Sequence, residues 1–114
     1  MLYEKDYLVC DGQSPLITDA CLRDEALLYN LQDKDIQWLQ AEFSRIFNKT
    51  LSPDYRISEL SGGQKVILTF LLAMASPARR ILFVHLYDCL DAGKRRMIQD
   101  LINLHPEKEI CIDV

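Results

Sequence analysis

Residues 66–75 are apolar at every position except Thr69. The run reads as a helix and falls well short of the roughly 20 apolar residues that a bilayer-spanning helix needs. A helix that is apolar nearly all round has no face to give to water, so it belongs in a core or against a partner. Whatever this chain folds into has to be built around a helix over residues 63–75. Ser76-Pro77 stops that helix.

The turn that opens it reads Leu60-Ser61-Gly62-Gly63-Gln64. Ser61 is placed to cap the helix, and Gln64, three residues on, completes the capping-box spacing. Two glycines let backbone approach a ligand with no side chain in the way. A helix N-terminus offers unpaired N–H groups and the positive end of a dipole, which together suit a phosphate. A well-capped helix start with no ligand is the plainer account of the same five residues.

The remaining elements follow from pattern. Residues 5–10 form a short strand, with Tyr7 and Val9 on one face and Leu8 and Cys10 on the other. Residues 11–15 are a loop by composition. Thr18 or Asp19 caps a helix reaching Leu31, with Leu22, Ala26 and Leu27 on its inner side. A second helix runs from about Asp33 to Asn48, and Ile36, Leu39, Phe43, Ile46 and Phe47 make its apolar stripe. Trp38 lies off that stripe, at the helix edge. Residues 51–58, with Pro53, are a connector. Residues 81–86 are a strand buried on both faces, as in a parallel sheet. A helix over 92–104 turns Met97, Ile98, Leu101 and Ile102 inward, His105-Pro106 ends it, and residues 109–114 are the last strand. Strand, helix, strand is a βαβ unit with a right-handed crossover expected.

The predicted class is therefore α/β, in one domain. A helical subdomain over residues 11–60 is followed by residues 61–114, the capped helix and a small parallel βαβ sheet. Two or three parallel strands make a thin sheet that needs both faces covered. Further strands, or a surface shared with a partner, are expected.

Composition removes several function classes. The chain has 114 residues, 49% apolar and 26% charged, which suits a folded domain rather than a disordered one. A net charge of −4 supplies no field for nucleic acid or an anionic membrane. Arg79-Arg80 and Lys94-Arg95-Arg96 read as solvated helix and turn ends. Glu4, Lys5 and Asp6 interrupt any early apolar core, so the N-terminus does not read as a signal peptide. Cys10, Cys21, Cys89 and Cys111 show no C-x-x-C spacing, and neither His85 nor His105 sits at metal-ligand spacing from them. They are expected to be reduced, mostly buried thiols of a cytoplasmic protein.

The order of elements, with the Ser61-Gly62-Gly63-Gln64 turn at its centre, resembles the second half of an ABC-type ATPase nucleotide-binding domain, from its Q-loop through its D-loop. The resemblance runs from Tyr7 to Val114. It implies that Ser61, Gly62, Gly63 and Gln64 are the signature, which touches the γ-phosphate of ATP bound to another subunit. Gln13, after Tyr7-Leu8-Val9, resembles the Q-loop glutamine that helps hold the metal, with Asp11 as the other candidate and a plain turn residue as the alternative. Leu90-Asp91 resembles the end of the D-loop, which places Asp91 across a dimer interface. Asp91 is equally suited to cap the helix that follows it.

Two departures matter more than the matches. Counting back from Leu90-Asp91, the Walker B aspartate and glutamate fall on Val84 and His85. Valine has no oxygen to hold Mg²⁺. No G-x-x-x-x-G-K-[ST] occurs, so nothing here cradles the α- and β-phosphates. The expectation is a degenerate ABC-like protein that does not hydrolyse ATP alone, with no catalytic or metal-binding residues of its own. ATP and Mg²⁺ would be shared with a Walker A-bearing partner, or the chain would self-associate. The alternative is a helical interaction or regulatory protein with no nucleotide role. Membrane insertion and nucleic-acid binding are not expected.

Overall fold

The computed structural model of the chain describes residues 2–4, 7–11, 21–88 and 90–113. The strands are β1 (Leu2–Glu4), β2 (Tyr7–Asp11), β3 (Arg80–Val84) and β4 (Glu109–Asp113), and the helices α1 (Leu22–Leu28), α2 (Asp33–Phe47), α3 (Gly62–Ala75) and α4 (Ala92–Asn103). One sheet holds the strands in the order β1-β2-β3-β4. β1 runs antiparallel to β2, whereas β2, β3 and β4 are mutually parallel. The class is the α/β one read from the sequence. The helices α1, α2 and α3 lie between β2 and β3 in the chain, so the helical segment is an excursion from the sheet.

The registers place Leu8, Ile81 and Ile110 in one row and Cys10, Phe83 and Ile112 in the next. These rows form the inner face, because alternate residues of a strand share a face. Leu8, Cys10, Ile81 and Phe83 are buried in it. α3 packs on this face, its Phe70 ring 5.2 Å from that of Phe83, and α2 packs against α3. Residues 66–74 of α3 are buried without a break. Burying a large apolar side chain contributes roughly 1.5–3 kcal/mol, so α3 is the member the rest is assembled around, as its composition requires.

The second helix holds Leu39, Phe43 and Ile46 inward, with Ile36 and Phe47 partly buried, as its stripe predicts. Trp38 is half-buried at the helix edge, its ring set edge-on to His105 with centroids 5.6 Å apart. Asn48 ends the helix in the left-handed region at φ 52°, and its N–H bonds to Ser44 O. Asparagine is one of the few residues that enters this region cheaply.

The structure corrects several expectations. α1 begins at Leu22 after Cys21 and stops at Leu28, and Leu27, read as inward, is 67% exposed while Glu25 takes an inward place. Thr18 and Asp19, the expected caps, lie outside the described residues, as do Gly12 to Pro15 of the expected loop. β3 ends at Val84 rather than Leu86, because His85 turns into the left-handed region at φ 57°. β3 is not buried on both faces: Ile81 and Phe83 are covered, whereas Leu82 and Val84 on the outer face are half-buried. Of the thiols, Cys10 is buried, Cys21 half-buried and Cys111 exposed, all three free, and Cys89 is outside the described residues. Among the described residues no helix is long and apolar enough to cross a membrane.

Candidate functional site

The Leu60 to Gln64 turn is held from both sides. Ile57 and Leu60, one turn apart, are both buried and anchor the approach, with Leu60 N–H bonded to Ile57 O at 3.0 Å. The connector before them is stitched to the start of α1: Leu22 N–H bonds to Tyr55 O and Arg23 N–H to Pro53 O. On the other side, α3 descends into the core from Val66 onward. The exposed Ser61 and Gly62 therefore sit on a short rigid step between buried anchors.

The cap forms as the spacing requires. Ser61 Oγ accepts the Gln64 N–H at 3.2 Å, and Gln64 Oε1 accepts the Ser61 N–H at 3.0 Å. Lys65 N–H closes the first helical bond onto Ser61 O. The N–H groups of Gly62 and Gly63 have no partner among the described residues, as is general in the first turn of a helix.

The glycines are informative for what they do not do. No described glycine has a positive φ, and a Cβ built on Gly62 would meet nothing within 4 Å. Neither backbone conformation nor internal packing therefore asks for glycine at position 62. Glycine in a helix costs roughly 0.5–1 kcal/mol relative to alanine. What its absent side chain leaves open is the outside of the turn.

Asp91 lies elsewhere, at the start of α4, where its Oδ1 accepts the Lys94 N–H at 2.8 Å. It is a working N-cap, and no hydrogen bond or ion pair joins it to the 61–64 turn among the described residues. Gln13 is outside the described residues. Asp11, the other candidate, is the last residue of β2, in register with Val84 and, across β3, with Asp113. Val84 thus stands between two acidic positions at the carboxyl ends of the parallel strands. His85 follows it, half-exposed, with Nδ1 3.3 Å from Asp88 Oδ2. No group of three His, Cys, Asp or Glu side chains is arranged for a metal among the described residues.

One feature of this region had no sequence signal. Arg95, read as part of a solvated basic cluster, staples the loop after β3: its Nε donates to Leu90 O and its Nη2 to Tyr87 O, at 3.1 and 3.0 Å. Gln99 bonds the Tyr87 hydroxyl from the next turn of α4. Lys94 lies over the Phe47 ring, 5.4 Å from its centre, and so ties α4 to α2.

The turn's residues suit an anion. Unpartnered N–H groups at a helix N-terminus fit a terminal phosphate oxygen. Val84 offers no oxygen to a metal.

No family model matches the chain, and no curated protein is similar to it in sequence. Solved structures share its fold. A bacterial Atm1-family ABC exporter with ATP bound superposes with a TM-score of 0.72 at 12% identity, over 92% of this chain and 20% of that one. An inward-facing ABC transporter of putative metal-chelate type gives 0.63 at 16% identity, over 91% of this chain and 45% of that one. A putative cobalt transport ATP-binding protein gives 0.61 at 17% identity, over 92% of this chain and 41% of that one. The chain thus spans less than half the length of each of these three structures, and at these identities the likeness is one of fold.

Proposed function

We propose that this protein is a degenerate ABC ATPase-like chain that does not hydrolyse ATP alone and presents the Ser61 to Gln64 turn to a nucleotide held by another molecule. The observation that carries the reading is Gly62. Its φ is ordinary and the space around it is empty, so its lack of a side chain serves something outside the chain. The unpartnered N–H groups of Gly62 and Gly63 would meet a terminal phosphate. Ser61 and Gln64 would fix the turn by their mutual bonds and meet the same phosphate from its rim. A Walker A-bearing partner would hold the rest of the nucleotide and its Mg²⁺. Asp91 would lie toward that partner at the interface, and Gln13 would approach the shared metal.

Val84 and His85 favour incompetence in isolation. Where a hydrolytic centre needs a metal-holding carboxylate, valine presents only methyl groups. A second reading, a helical interaction protein with no nucleotide role, is favoured by one observation: Ser61 Oγ is already occupied by Gln64 N–H.

Equilibrium binding of fluorescent ATP with Mg²⁺ to the purified chain, with turnover measured alongside, tests the first reading. The expected result is no turnover and binding far weaker than micromolar. Micromolar binding with turnover that Ser61→Asp abolishes would contradict it.

A further inference from the structure

The end of α3 remote from the 61–64 turn borders a cavity of about 240 Å³. It lies between the start of α2, the last turn of α3 and the turn that leads from α4 to β4. The 14 residues of α3, at about 1.5 Å each, put roughly 20 Å between this cavity and Ser61. Sites for drug-sized ligands run to roughly 300–1,000 Å³, so this one suits a smaller molecule. Trp38 and His105 form two of its walls, their ring planes meeting at 79°.

Acceptors dominate the polar lining. His105 Nδ1 lies 2.8 Å from Leu101 O. A carbonyl oxygen can only accept, so Nδ1 carries the proton and the neutral ring keeps Nε2 as an acceptor. Asp35 gives Oδ2 to the Gln32 N–H at 2.9 Å and has Oδ1 besides. Glu107 brings a second carboxylate at the solvent side. Lys108 is the one lysine or arginine in the lining, and its ammonium is committed to Ser76 O and Ala78 O, at 2.8 and 2.6 Å. Burial lowers its pKa, and the charges of Glu107 and Asp35 oppose that fall. Two carboxylates against one ammonium leave an excess of one negative charge. It stands beside an indole ring, whose face attracts cations.

We propose that this cavity binds a guanidinium group. The planar cation lies against the Trp38 ring and donates its N–H groups to Asp35, Glu107 and His105 Nε2. A bare metal ion is a poorer occupant, because among the described residues no three His, Cys, Asp or Glu side chains are placed to hold one. A free guanidinium compound and an arginine side chain of another protein carry the same group, and experiment separates them. The site does not rest on the 61–64 turn, and nucleotide is not required for it.

Trp38 is the only tryptophan of the chain, so its fluorescence reports on the cavity directly. Methylguanidinium chloride, titrated into the whole chain at constant ionic strength, should change that fluorescence with half-saturation on the order of 1 mM, within the ceiling for so small a ligand. It should also shift the backbone amides of Ser76 and Glu107. Tetramethylammonium, with the same charge and no N–H, should bind about tenfold more weakly or worse. Asp35→Asn combined with Glu107→Gln keeps an acceptor oxygen at each position and removes both charges, and should weaken binding about tenfold. Should that variant unfold, Glu107→Gln alone should weaken binding about threefold. Acetyl-Gly-Arg-Gly-amide is the second probe: binding tighter than methylguanidinium assigns the site to an arginine of another protein, and weaker binding assigns it to a free small molecule. A response that does not saturate, equal binding of tetramethylammonium, or equal binding by the neutralised variants would overturn the proposal. So would saturable binding of acetate, the anion that Lys108 and the Trp38 N–H would take.

Discussion

Ser61 and Gln64 satisfy each other: the serine oxygen accepts the Gln64 N–H and the glutamine oxygen accepts the Ser61 N–H, at 3.2 and 3.0 Å. The pair holds the start of α3, the helix the core is built on. Ser61→Ala should therefore lower stability by about 1 kcal/mol, and Ser61→Asp, an equally good cap, should lower it little. Gly62→Ala should raise stability by about 0.5 kcal/mol, because the added methyl meets nothing and helix propensity improves. Urea unfolding midpoints check all three. A destabilising Gly62→Ala would show that the fold itself needs this glycine.

The two ends of the burial scale give a second pair. Phe70 is completely buried against Phe83, so Phe70→Ala should cost about 3–5 kcal/mol. Leu27 is 67% exposed, and Leu27→Gln should stay within about 0.5 kcal/mol of the parent. Thermal unfolding of both variants separates this packing from the inward Leu27 that helical periodicity suggests.

Lys108 pins the passage from α3 to β3. Its ammonium donates to Ser76 O at 2.8 Å and Ala78 O at 2.6 Å, and burial holds its pKa below the usual lysine value. Lys108→Met leaves both carbonyls without that donor and should cost about 1–3 kcal/mol. An unchanged denaturant midpoint would show that water replaces the ammonium without loss.

Cys10 gives the fold an alkaline limit. Burial pushes its thiol from 9.0 up to about 11, against a smaller opposing effect of the Tyr29 hydroxyl. The folded state thus keeps its proton where the unfolded chain gives it up. The stabilising contribution is complete below pH 9 and is lost as pH rises to 11, a loss on the order of 2–3 kcal/mol at 1.36 kcal/mol per unit. Lys108, whose pKa is lowered, works in the opposite sense over part of this range. Cys10→Ala retains Lys108, so the difference in pH dependence between variant and parent isolates the thiol. Parallel profiles from pH 8 to 11 would contradict the assignment.

Much of this architecture is legible in the chain because its signals are local. The stripe Leu39, Phe43, Ile46 repeats at helical spacing, and the Ser61 to Gln64 cap is a contact between near neighbours. β1 has only the residues Leu2–Glu4, too few to show a period. The apolar run of β3 reads the same whether or not a second layer covers Leu82 and Val84, so the half-open outer face had no signature. The Lys108 and Arg95 bonds join residues far apart in sequence or bring in backbone oxygens, which side-chain patterns do not encode. At the site, the turn was visible as one contiguous segment. Its use was not, since the phosphate it suits would arrive on another molecule.

The central claim is that the 61–64 turn receives a phosphate from outside. Backbone amide shifts during titration with inorganic phosphate, and then with Mg²⁺ and ATP, test it most directly. The account predicts weak, saturable shifts largest at Gly62 and Gly63, abolished in Ser61→Asp, which keeps the cap and adds a negative charge at the site. Amides at Gly62 and Gly63 that stay fixed, or that move equally in Ser61→Asp, would contradict it.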